Sequence, residues 1–109
     1  MLTSLGVPQE NIREVSKEGQ EPTGLIVDLT GKGEPVGEAR CIAFRADMDA
    51  LSMVELNNDL PYVSKNKGAA HMCGHDGHMA CLVGFVAIFL DKLDTIPSNR
   101  KVRLLFQPS

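Results

Sequence analysis

No stretch of the sequence is apolar for long enough to cross a bilayer. The longest run, Met79 to Leu90, has twelve residues and is interrupted only by small ones, against the roughly 20 a membrane helix needs, so it predicts a core helix. An excess of basic residues is missing as well. Eleven Lys and Arg stand against 14 Asp and Glu, a formal charge of -3, and no cationic surface points to nucleic acid or anionic lipid as a partner. The three cysteines are an odd, irregularly spaced set, which argues against a disulfide framework. The opening segment "MLTSLGVPQE" has no basic stretch followed by a hydrophobic one, so a signal peptide is not expected and a reducing, cytoplasmic setting fits. Internal repeats, low-complexity segments and composition shifts are also lacking. At 109 residues the chain corresponds to one small domain or a piece of a larger one.

What is present reads as α/β. Two β-like runs, Gly24 to Leu29 and Arg40 to Ala46, flank a connection rich in Gly and Pro, which predicts a hairpin. The second run is apolar at nearly every position, as expected of a central strand covered on both faces. After Asp49 a segment mixing Asn, Asp, Pro, Ser and Gly has no sustained period and predicts a long irregular loop with a functional role. From Asp76 to Leu93 the residues Met79, Leu82, Val83, Val86, Phe89, Leu90 and Leu93 follow helical spacing. Cys81, Phe85 and Ile88 make that helix apolar nearly all round, so it is expected to be buried. Pro97 and Ser98 end it, and "KVRLLFQ", Lys101 to Gln107, is a strand. A strand, a helix and a strand in this order form a crossover with parallel strands, and with the hairpin they give a mixed sheet.

Open α/β sheets bind ligands outside the carboxyl ends of their strands. Asp47 and Asp49 follow one predicted strand, Gln107, Pro108 and Ser109 end or follow the other, and "AAHMCGHDGHMACLVGF", residues 69–85, opens the crossover helix on the same side. All three histidines of the chain fall in this stretch, beside Cys73. Imidazole and thiolate are the donors that zinc and similar ions prefer. Cys73 and His75 would point about 200° apart on a helix but can meet on one ion from a loop containing Gly74. His78 lies one turn from His75, where it can share the face or touch substrate, and Asp76 suits the helix N-terminus. A self-contained structural zinc site fits less well, since it takes two ligand pairs and only one is present. Asp47 and Asp49, spaced i, i+2, read either as solvated charges or as partners of the cluster, with Asp49 orienting a metal-bound histidine and Asp47 supporting it. Arg45 is placed to pair with one of them.

The segments "RADMDAL" (Arg45 to Leu51), "LPYVSKNKGAAHMCGHDGHMA" (Leu60 to Ala80) and "VRLLFQPS" (Val102 to Ser109) resemble the aminoacylase/carboxypeptidase family of cocatalytic metallohydrolases. The match is to the branch of hippurate hydrolases, N-acyl-amino-acid amidohydrolases and auxin-conjugate hydrolases. It runs from about Leu5 onward, and the HxCGHDGH string is highly specific. The resemblance implies the three-layer sandwich of zinc-dependent exopeptidases, here partial, and a centre of two divalent metal ions, manganese or zinc. Cys73 and His75 are then metal ligands, Asp49 is the catalytic-site carboxylate beside the metals, and His78 and Asp76 support the site. Many relatives have a metal-binding His where this branch has Asp47, so Asp47 receives no ligand role. The chain departs from the branch at Ser52, usually Pro, and at Met72, usually Ala, and neither change removes a group the chemistry needs.

The family pattern continues past "FQP" into a pair of glutamates, one a general base and one a ligand, then to further histidines and a smaller lid or dimerisation domain. Residues 1–109 are therefore expected to be an incomplete part of the catalytic domain. The complete enzyme would hydrolyse the amide bond of N-acyl amino acids or related conjugates through a metal-activated water, as a homodimer in some forms, while the chain alone is expected to be inactive. The alternative is a non-catalytic truncated paralogue that binds metal weakly or binds a partner. A redox module built on Cys73 has least support, since no second Cys lies at CxxC spacing.

Overall fold

A computed structural model describes residues 1–108; Ser109, grouped above with the end of the last strand, lies outside the described residues. Two short 3-10 turns, Thr3–Leu5 and Gln9–Asn11, lead into β1 (Ile12–Val15), β2 (Gly24–Thr30), β3 (Arg40–Asp47), α1 (His75–Asp91), a 3-10 turn at Leu93–Thr95 and β4 (Arg100–Gln107). The strands form one sheet in the order β1-β2-β4-β3. β1 and β2 are antiparallel, as are β2 and β4, while β3 and β4 run parallel. The sheet is mixed and the class α/β, as the sequence predicts, with α1 as the crossover joining the parallel pair.

The expected hairpin between β2 and β3 does not form, because β4 lies between them. Residues 31–39 are too many for a tight hairpin loop, which takes about 2–5 residues, but enough to step across one intervening strand. The connection wraps the start of β4: Gly31 N–H donates to Arg100 O at 3.1 Å and Gly33 N–H to Ile96 O at 2.8 Å. Glycine is required at the closest approach, since a Cβ on Gly31 would sit 2.2 Å from Ile96 O. The hairpin that does form joins β1 to β2. Its first strand has only four residues, mostly exposed, which is too short an alternation to stand out in the sequence.

A second correction concerns β3, expected at the centre. It is an outer strand of this sheet, with Ile42 59% and Phe44 42% exposed, whereas Leu104 of β4 is fully buried. An apolar run shows that both faces of a strand suit burial, but it does not say which strand pairs on both edges.

The core lies between α1 and one face of the sheet. Alternation along β2 and β4 places Val27 opposite Leu104 and Leu29 opposite Val102, all buried, and successive residues of a strand face opposite sides. Leu82, Val86 and Phe89 of α1 close over them, with Ala46, Phe106, Leu2 and Val7 completing the cluster. Burying each large side chain stabilises the fold by about 1.5–3 kcal/mol. The all-round burial expected of α1 is not observed. Only one stripe meets the sheet, and Cys81 and Ile88 on its other flank are exposed, because a lone helix on a sheet has one covered side. No helix among the described residues is long and apolar enough to cross a membrane.

Between β3 and α1 the chain is irregular, as predicted. A bridge between Leu51 and Ala70 pins its two ends, and Ser64 N–H donates to Glu55 Oε2 at 2.8 Å. The loop therefore leaves the carboxyl end of β3 and returns beside it.

Candidate metal centre

The crossover decides where the chemistry-bearing residues meet. Because β3 and β4 are parallel, both end at one edge, where Asp47 pairs with Gln107 and Met48 N–H donates to Gln107 O at 2.9 Å. Asp47 is the last residue of β3 and His75 the first of α1. His75 and His78, three apart on the helix, project from one face, with ring centroids 5.7 Å apart.

Asp49 holds His75 from one side. The imidazole Nδ1 lies 3.0 Å from Asp49 Oδ1 and 3.1 Å from the Asp49 carbonyl oxygen. A proton on Nδ1 has an acceptor there, which leaves the Nε2 lone pair for another centre. Nε2 faces Asp47 Oδ2 at 3.9 Å, and the same oxygen is 3.9 Å from Nδ1 of His78. Asp47, His75 and His78 each offer a donor atom, all within 4.8 Å of one another. The other oxygen of Asp47, Oδ1, accepts a hydrogen bond from Arg45 Nη2, the pairing anticipated for that arginine.

The predicted site residues divide between those inside this group and those beside it. Asp49 and His75 are in direct contact, and His78 shares their edge. Asp47, given no ligand role from the sequence, lies at the centre of the group; the signals for it were its place at the end of a predicted strand and its i, i+2 spacing from Asp49. Asp76 is exposed and its Oδ1 accepts from Gly77 N–H at 2.9 Å, so it satisfies a first-turn amide where negative charge is favoured. Cys73 is exposed and is not one of the three mutually close donors. A cleft of about 590 Å³ adjoins the group, lined by Phe44, Arg45, Asp47, His78, Cys81, Leu82 and Phe85.

A half-buried carboxylate and imidazole with a second, exposed imidazole, from two elements, fit a divalent first-row ion. Three protein donors with a cleft beside them match the open arrangement of a catalytic ion rather than the closed four-ligand cage of a structural one. Fold and site together thus define an α/β domain with a candidate metal site at the carboxyl edge of its parallel strands. Residues 43–109, more than half of the chain, match the family described as Peptidase family M20/M25/M40, and the chain belongs to that family.

Its relatives carry related names. The chain is 41% identical over 92% of its length to thermostable carboxypeptidase 1 of Saccharolobus solfataricus, covering 25% of that protein. It is 46% identical over 80% of its length to N-acetyl-L-cysteine deacetylase of Bacillus subtilis, covering 19%. The crystal structure of the Bacillus subtilis YXEP protein, described as a dinuclear metal binding peptidase from the M20 family, matches 99% of the chain with a TM-score of 0.70 at 33% identity, and 28% of that structure is covered. The chain spans about a quarter of the length of such relatives, or less.

Proposed function

We propose that residues 1–109 are part of the catalytic domain of a metal-dependent amidohydrolase that cleaves the amide bond of N-acyl amino acids or related conjugates. The observation that carries this reading is the meeting of Asp47, His75 and His78 at the carboxyl edge of β3, with Asp49 bracing His75. The dinuclear description of the YXEP protein supports two divalent ions, manganese or zinc, and the deacetylase name of another relative supports an acylated amino acid as substrate. Bound in such a site, the ions supply polarisation of the scissile carbonyl and a lowered pKa for water.

The residues of this chain hold and orient. His75, and Cys73 by resemblance, are assigned as metal ligands, Asp49 fixes the ring of His75, and His78 and Asp47 face the same point. Asp76 steadies the first turn of α1, which carries both histidines. Phe44, Leu82 and Phe85 give the adjoining cleft an apolar wall suited to an acyl or side-chain hydrocarbon. The full-length enzyme is assigned to the cytoplasm and to a homodimer, with a lid or dimerisation domain outside these residues.

The test is a comparison of full-length protein with the 109-residue chain on N-acetyl amino acids. Full-length protein is expected to hydrolyse them and to lose activity to a chelator, with restoration by manganese or zinc. Failure of the full-length protein on every N-acyl amino acid, with or without added metal, would refute the reading.

A further inference from the structure

We propose that Arg45 is a positioning residue of the metal centre, acting through Asp47; the inference rests on the metal-binding reading above. Arg45 and Asp47 are two apart on β3, so their side chains leave the strand in the same direction. Arg45 Nη2 donates to Asp47 Oδ1, while Oδ2 of the same carboxylate is 3.9 Å from both His75 Nε2 and His78 Nδ1. The two oxygens thus have separate partners.

A carboxylate's terminal torsion is broad and roughly two-fold, so without Arg45 the group could turn and present neither oxygen squarely to the histidines. Arginine suits this task because its planar fork constrains direction as well as distance. Arg45 is 53% exposed, and an ion pair that open adds little to stability. Its effect is expected in the geometry of the site instead.

Charge acts in the opposite direction to orientation. A guanidinium beside a bound dication repels it, so if Arg45 were only a neighbouring charge, its removal would tighten metal binding. If it orients Asp47, removal weakens binding, as loss of a partner that orients a metal-site carboxylate does, by about 10–100-fold. Arg45 also lines the cleft beside His78, where the competing role is contact with a substrate carboxylate; that role would leave metal affinity unmoved.

The experiment is a Mn2+ titration of the full-length protein followed by the loss of the free-ion EPR signal, run on four proteins: unsubstituted, Arg45→Gln, Asp47→Asn and the double variant. Circular dichroism of each confirms the fold, and Arg45→Lys serves as a second, conservative variant. Expected are a loss of about tenfold on Arg45→Gln, no further loss when the same change is added to Asp47→Asn, and partial recovery in Arg45→Lys. Equal losses in both backgrounds, unchanged affinity, or tighter binding would each overturn the proposal while leaving the metal centre standing. Absence of Mn2+ binding by the unsubstituted full-length protein would instead refute the centre, and this inference with it.

Discussion

Asp49 sits where a small change should have a large effect on one property and little on another. Its side-chain and carbonyl oxygens both lie beside His75 Nδ1, so Asp49→Ala removes the carboxylate from beside the ring and loosens it. Metal affinity is expected to fall about 10–100-fold with the fold intact, and a calorimetric titration returning unchanged affinity would contradict the bracing role. Asp28 behaves differently. Its carboxylate receives both Nε and Nη2 of Arg103 at 2.7 Å, and this hydrogen bonding, partly opposed by burial, holds its carboxyl below the ordinary value of 3.8. Since the folded value is the lower one, the stabilisation is fully present above 3.8 and is lost as pH falls through the folded value. Urea midpoints of Asp28→Asn and the unsubstituted chain should therefore differ at pH 7 and converge in strong acid. A gap that stays constant with pH would show that the ion pair contributes no such term. At this scale the sequence made the edge legible, because three histidines, Cys73 and two aspartates cluster around two predicted element ends. It could not rank Asp47 against Cys73, since that depends on the directions in which side chains leave the end of β3 and the loop before α1.

Elements were legible where period and length agreed. The apolar spacing of α1 predicted its extent to within about two residues, and "KVRLLFQ" predicted β4. What failed was pairing, because strand order depends on contacts between distant segments, here on a connection of residues 31–39 that crosses β4 rather than turning beside it. That crossing places a local demand on Gly31, whose added Cβ would meet Ile96 O at 2.2 Å and Pro97 O at 2.5 Å. Both are backbone atoms and cannot swing aside. Gly31→Ala is expected to destabilise the fold by about 1–3 kcal/mol or more, read as a lower urea midpoint, and an unchanged midpoint would mean that the connection does not pass so close. The one-sided burial of α1 makes a paired prediction. Val86→Ala, at a fully buried position, should cost about 1–3 kcal/mol, whereas Ile88→Ala, at a position 67% exposed, should stay within about 0.5 kcal/mol. Similar losses at the two positions would contradict the placement of the core.

The molecule as a whole brings a hairpin, a parallel crossover and one helical layer together so that a single edge collects the donors. Among the described residues three donors meet there, and no glutamate is one of them. An ion so held has open positions but no general base close by, so the 109-residue chain by itself is expected not to hydrolyse N-acetyl amino acids, and chelator-sensitive turnover by it would contradict the assignment of roles. Family membership was legible in the sequence because the HxCGHDGH string and "RADMDAL" combine specific chemistry with fixed order. Substrate choice was not, since it depends on walls contributed by parts of the relatives that this chain does not span. The most direct test of the account is metal content by mass spectrometry of the full-length protein purified without chelator and dialysed against manganese or zinc, beside a His75→Ala, Asp47→Asn double variant of confirmed fold. The account predicts bound metal in the unsubstituted protein and its loss in the variant. Equal metal in both, or none in either, would contradict a metal centre at this edge.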